Sequence, residues 1–335
     1  MVEYTLGTVT EKSIICVGGR WDMKAAIEIV DLSKVYRTGF WMRQHLALSA
    51  LNLAVKPGES FGFVGPNGAG KTTTIKILAG LQDATSGKAT IFGHPCGGSI
   101  ARQYLGFLPE RPFFYSHLTA REILRFYGGL LSLSGAPLEK RIDELLERTS
   151  LSNVQSMPLS KFSKGMLQRV GLCQSIMHRP AVVILDEPMS GLDPVGRALV
   201  RDIILQEQQR GATIFFSSHV LSDVESICDR VAILVGGELR GVGTIQELVG
   251  EQIEYVDCTV ELSDPQHYLE SFTSGELLSN VGNQQIWRIF PNEVNAFIDA
   301  VRSAGDQIKE LTPIRRDLEQ VLIEQIKGNA TMEDQ

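Results

Sequence analysis

The chain has 335 residues, 43% apolar and 21% charged, with a net charge of −7. That size suits one large and one small globular domain. The acidic balance argues against a dedicated nucleic-acid binder, which carries a basic footprint, and no apolar run approaches the ~20 residues of a membrane span. Five scattered cysteines, in no metal-ligand spacing, read as reduced small apolar residues.

Met1 to Asp22, with weak periodicity, reads as an extension, and Met23 as an alternative start. Ile27 to Val30 alternates as a strand. Leu46 to Leu48 and Leu51 to Val55 read as two more, closed by the turn Lys56-Pro57-Gly58-Glu59. The buried strand Ser60 to Val64 then runs into Gly65-Pro66-Asn67-Gly68-Ala69-Gly70-Lys71-Thr72-Thr73, and a helix follows over Thr72 to Leu81. Strand, G-x-x-x-x-G-K-[ST] and helix together make a phosphate-binding P-loop. Its glycines let backbone N–H groups turn inward around a phosphate, and the helix adds its positive end. Lys71 supplies a point charge, and Thr72 a hydroxyl that can ligate Mg²⁺.

Further on, Lys88 to Phe92 and Leu105 to Glu110 read as strands. Thr119 to Thr149 is helical, broken at Ser134 to Pro137 and opened by the capping box Thr119-Ala120-Arg121-Glu122. Leu159 to Arg169 opens a helix that runs to about His178. The continuous apolar run Ala181 to Leu185 ends in Asp186-Glu187 and suits a strand buried on both faces of a parallel sheet. Ser190 to Pro194 is a turn, Val195 to Gln209 a helix, and Ala212 to Phe216 a strand leading to His219. A helix at Leu221 to Cys228 and strands at Val231 to Val235 and Glu238 to Arg240 carry this domain to Leu248. Beyond it come strands at Val256 to Leu262 and Gln285 to Phe290, and helices at Glu293 to Ala304 and Asp317 to Lys327. The expected domains are therefore an extension over 1–22, a mainly parallel α/β domain over 23–248 and a small α+β domain over 249–335.

In this order the motifs resemble the ATP-binding subunit of an ABC transporter, from about Ala26 to Leu248, and the exporter branch whose permease is a separate chain. The resemblance implies a P-loop NTPase cassette with an antiparallel β subdomain and a helical subdomain. It assigns Tyr36 to stacking on adenine, Gly65 to Thr73 to the phosphates, and Phe162 to Met166 to the signature sequence. Val182 to Glu187 corresponds to the Walker B strand, Ser190 to Pro194 to the D-loop, and His219 to the switch histidine. The implied cofactors are ATP and Mg²⁺, the metal held through Thr72, Asp186 and Glu110. Glu187 is the expected base, with Lys71 and His219 also in catalytic roles; burial among carboxylates should raise the Glu187 pKa. Ser163 and Gly165 would bind the γ-phosphate held by a second copy. Two or three charge-assisted bonds at each of two sites make a gross difference of roughly 6–18 kcal/mol, enough to drive opening on hydrolysis.

Two departures stand out. The usual signature is Leu-Ser-Gly-Gly-Gln, and here it is Phe162-Ser163-Lys164-Gly165-Met166, so Lys164 either attracts phosphate or is solvated. Glu110 stands where many relatives carry glutamine. The implied partners are a second copy and an integral-membrane permease, on the inner face of the cell membrane, with no nucleic acid. Phe113, Phe114 and Tyr115 are candidates for the permease socket or for packing inside the helical subdomain. The competing reading is a soluble ABC-type ATPase acting on ribosomes, nucleic acid or other proteins. One P-loop and no coiled-coil insert weigh against it.

Overall fold

A computed structural model describes residues 25–38, 43–250, 253–263, 275–315 and 317–333. The extension over 1–22 and the alternative start at Met23 lie outside these residues. The chain forms two compact units, one running to Asp229 and including Gly236–Leu239, the other comprising Arg230–Val235 and Arg240–Gln335.

The first unit opens with an antiparallel sheet. Strand β1 (Ile27–Thr38) pairs with β2 (Arg43–Val55). Ala50 takes a left-handed φ of 44° within β2, where the sequence reads as two strands, so one irregular strand replaces them. Strand β3 (Ser60–Val64) leads to α1 (Lys71–Leu78), whose Ile75 and Leu78 are fully buried. Strands β4 (Ser86–Ile91) and β5 (His94–Pro95) complete the antiparallel sheet in the order β2-β1-β4-β5. Helix α2 (Ser99–Tyr104) follows, and then β6 (Leu105–Leu108).

The helical part comprises α3 (Ala120–Leu130) and α4 (Gly135–Arg148). The capping box forms as expected: the Glu122 N–H donates to Thr119 Oγ1 at 3.2 Å, and the Thr119 N–H donates to Glu122 Oε2 at 2.9 Å. The expected break is only partial, because Gly135-Ala136-Pro137 forms the first turn of α4, where proline lacks no needed donor.

Helix α5 (Lys164–Ser175), β7 (Val182–Asp186), α6 (Pro194–Gln209), β8 (Thr213–Ser218) and α7 (Leu221–Ile227) complete this unit. In its second sheet the strands β3, β8, β7 and β6 are neighbours in that order and all parallel. Phe61, Phe63, Phe215 and Phe216 are fully buried within it. On the residues alone, the strand ending in Asp186 lies beside the P-loop. The structure corrects this by inserting β8 between β3 and β7. Parallel strands place their C-terminal ends at one edge, and the crevice there is where α/β sheets bind ligands. Asp186 ends β7 at that edge, and Gly65, His219 and Glu110 follow the strands β3, β8 and β6 that end there. Arg148, on α4, pairs with the buried Glu207 of α6 at 2.9 Å and so ties the helical part to the sheet's flank.

The second unit holds β9 (Arg230–Val235), most of β10 (Glu238–Gly243), α8 (Ile245–Val249), β11 (Ile253–Glu261), β12 (Gly275–Val281) and β13 (Gln284–Ile289). After them come α9 (Val294–Ser303), β14 (Gln307–Arg315) and α10 (Leu318–Glu333). Its four-stranded antiparallel sheet runs β12-β13-β11-β14. Cys258, Val260, Trp287 and Ile289 pack on Phe297 and Val301 of α9 as a separate core. The sequence reading has neither β12 nor β14.

Candidate functional site

The P-loop turns because Gly68 (φ 82°) and Gly70 (φ 105°) occupy left-handed backbone that costs an L side chain about 1–2 kcal/mol. Gly70 is also the N-cap of α1, so the loop feeds directly into a helix N-terminus whose amides face outward. Lys71 is buried, and its ammonium donates to the carbonyls of Gly65 (2.5 Å) and Pro66 (3.1 Å). Burial lowers the Lys71 pKa, while Glu187 and Asp186 pull it back up.

These groups open onto a cavity of about 370 Å³. It is lined by Tyr36, His45 and Ala47, by every residue from Pro66 to Thr73, and by Glu110, Asp186, Glu187, Ser190 and His219. All four expected catalytic and metal side chains beyond the P-loop therefore converge on it: Glu110, Asp186, Glu187 and His219.

Asp186 is buried and accepts the Ser217 hydroxyl at 2.7 Å. Burial raises its pKa, an effect opposed by the Ser217 bond and reinforced by the charge of Glu110. The Glu187 N–H donates to the Ser217 carbonyl (3.1 Å) and hydroxyl (3.2 Å), and its φ of 50° is left-handed, which a non-glycine residue adopts only at a cost. Its carboxylate pairs with His219 Nδ1 at 2.8 Å. Burial raises the Glu187 pKa, against the His219 bond and the charges of His219 and Lys71. The direction is the one the sequence reading expects. His219, expected at the γ-phosphate or the attacking water, faces the expected base itself. Glu110 pairs with Arg111 at 3.6 Å and is half exposed.

The donor set suits a hard divalent cation. Thr72 and Asp186 line the same cavity, and Glu110 adds a second carboxylate on its wall. Among the described residues no three of His, Cys, Asp and Glu cluster tightly enough to hold a metal alone. Phosphate oxygens would have to complete its shell. Tyr36 lines the cavity with its hydroxyl donating to Gln82 Oε1 (2.9 Å) and 3.3 Å from Thr73 Oγ1, and the Lys34 ammonium lies 5.5 Å from the ring centre.

Comparison with known proteins fits this arrangement. The family model described as "ABC transporter" matches residues 48–190. An uncharacterised ABC transporter ATP-binding protein of Synechocystis is 42% identical over 306 residues, which cover 90% of this chain and 84% of that protein. The chain belongs to the ABC transporter ATP-binding proteins. It is an ATP-binding subunit with ATPase activity of that class. The bacitracin transport ATP-binding protein of Bacillus licheniformis is 40% identical over 221 residues, covering 65% of this chain and 69% of that protein. A solved ATP-binding subunit of an ABC transporter superposes with a TM-score of 0.61 at 32% identity, covering 67% of this chain and 92% of that one.

Within this cassette the signature residues differ from expectation in two ways. Gly165 lies inside the first turn of α5, not before it. Ser163 is the N-cap and already accepts the Met166 N–H at 3.2 Å. The Lys164 ammonium, expected on phosphate or in solvent, bonds the Ser190 hydroxyl at 3.1 Å. The sequence reading also omits two residues that shape the site. Ser217 joins Asp186 to Glu187, and the clue was a hydroxyl residue at the end of the neighbouring strand, in register with Asp186. Gly237 donates its N–H to the Ala69 carbonyl of the P-loop at 3.0 Å, and only the Gly236-Gly237 pair hinted at it.

Proposed function

We propose that this cassette binds ATP with Mg²⁺ in the cavity above, hydrolyses it between two copies arranged head to tail, and so drives export through a separate membrane permease. The convergence of the P-loop, Asp186, Glu187 and His219 on one cavity carries the reading. Gly65 to Thr73 cradle the phosphates, and Lys71 leaves its loop carbonyls for the β- and γ-phosphates. Tyr36 offers its ring to adenine. Thr72, Asp186 and Glu110 hold the metal, which neutralises phosphate charge when bound. Glu187 takes the proton of the attacking water, and its raised pKa makes it a better base. His219 holds the Glu187 carboxylate in place through the 2.8 Å bond.

Ser163 and Gly165 do not line this cavity among the described residues, yet they sit at an exposed helix N-terminus, where anions bind. That placement supports a role on the nucleotide of a second copy. No helix of the described residues is long and apolar enough to cross a membrane, so the transport path is assigned to an integral-membrane partner, with this subunit on its inner face.

The test is Glu187→Gln in the full chain. It should bind ATP, form an ATP-dependent dimer visible by analytical ultracentrifugation, and lose about 10²–10⁴-fold in turnover. Near-normal turnover removes Glu187 as base, and a species monomeric at every ATP and protein concentration removes the head-to-tail pair.

A further inference from the structure

The N-terminal turn of α5 does more than face outward: it grips the loop that follows Glu187. Lys164 Nζ donates to Ser190 Oγ at 3.1 Å. The Lys164 stem lies on Gly191 (φ 74°) so closely that a Cβ there would sit 2.7 Å from Lys164 Cδ and 3.0 Å from Nζ. Gly165 packs against Leu192 in the same way, with a Cβ placed 2.9 Å from Leu192 Cδ2. One turn on, Gln168 Nε2 lies 3.5 Å from the Glu187 carbonyl. The Ser190 N–H in turn donates to that same carbonyl at 3.0 Å, and Ser190 lines the cavity beside Glu187.

We propose that Lys164 is a positioning residue for ATP hydrolysis: its ammonium clamps Ser190, and with it the loop carrying Glu187, to the helix that meets the other copy's nucleotide. The inference rests on the head-to-tail reading above. An anion seated on the α5 N-terminus then presses on a block that includes the chain's own base loop. With glycine at this position, as in the usual signature, that bond has no donor. Lys164 does not itself hold phosphate, because its ammonium is turned back onto its own subunit.

The experiment combines steady-state kinetics with sedimentation of the full chain. Lys164→Met, which keeps the stem and removes the charge, should lower kcat about fivefold with KM unchanged, and Ser190→Ala should do the same, as expected for loss of one exposed charge-assisted bond. The double variant should fall no further, because both substitutions remove one interaction, and Lys164→Arg should keep most of the turnover. Lys164→Met combined with Glu187→Gln should still dimerise on ATP as Glu187→Gln does. Multiplicative losses of about 25-fold in the double variant, or unchanged kcat in Lys164→Met, overturn the clamp. Lost ATP-driven dimerisation only when Lys164 is also replaced makes it a ligand of the partner's phosphate and overturns its positioning role. A Glu187→Gln chain that never dimerises overturns the head-to-tail reading, and the inference with it.

Discussion

At Glu187 the surroundings act in opposite directions on one carboxylate. Burial favours the neutral form, while His219 Nδ1 at 2.8 Å and the Lys71 charge favour the ionised form, and burial prevails. A carboxyl whose pKa is raised on folding binds its proton more tightly in the folded chain. Its contribution to stability is therefore fully present below the ordinary glutamate value and is lost as pH rises through the raised one. Without nucleotide, Glu187→Gln removes that loss. Its melting temperature should exceed that of the natural chain at pH 8, with the difference closing as pH falls towards 4.5. A variant less stable at pH 8 would mean that the His219 pair outweighs burial. The same titration bears on rate: turnover should fall as acid protonates Glu187, beginning at a higher pH than an exposed glutamate would give.

At the scale of elements, the P-loop is held from outside by the turn at Gly236-Gly237. Gly237 has a φ of 82°, donates to Ala69 and accepts the Ser49 N–H at 2.9 Å; a Cβ there would meet the Ala47 carbonyl oxygen at 2.8 Å. Both the backbone angle and the contact with a backbone atom penalise a side chain. Gly237→Ala should cost about 2 kcal/mol of stability in denaturant unfolding and weaken ATP binding. Retention of both would show that the P-loop keeps its shape unaided. This buttress was illegible in the sequence because it joins residues far apart, and a glycine pair reads as any turn. What was legible was local: the P-loop, the Thr119–Glu122 box, and the apolar run ending in Asp186-Glu187, each of which states its structure within a few residues. The missed strands β12 and β14 are the two edges of their sheet. Half-exposed positions such as Leu278 and Leu311 blur their alternation, and Pro313 interrupts the second. Helix α2 spans only six residues, too few for a period to show.

Across the whole molecule, the largest exposed aromatic side chains of the first unit gather at the start of the helical part. Phe113 is 87% exposed and Tyr115 53%, and Tyr115 meets the half-exposed Phe126 edge-on at 6.0 Å, while Phe114 is buried against Tyr127. The two uses considered for these aromatics are thus divided between them: Phe114 packs inward, and Phe113 and Tyr115 face out. An aromatic group this exposed costs solvation unless a partner covers it, and neither residue lines the nucleotide cavity among the described residues. We assign it to the permease contact of the proposed function. Burying one such ring stabilises a complex by about 1.5–3 kcal/mol, so Phe113→Ser with Tyr115→Ser should cut the fraction of chain sedimenting with native membranes at least tenfold. ATP turnover of the detergent-free chain should stay within about twofold of its original value, since no phosphate-facing residue is touched. Unchanged membrane recovery would place the contact elsewhere on this subunit, and a matching loss of turnover in the absence of membranes would show instead that the pair supports the fold around Glu110.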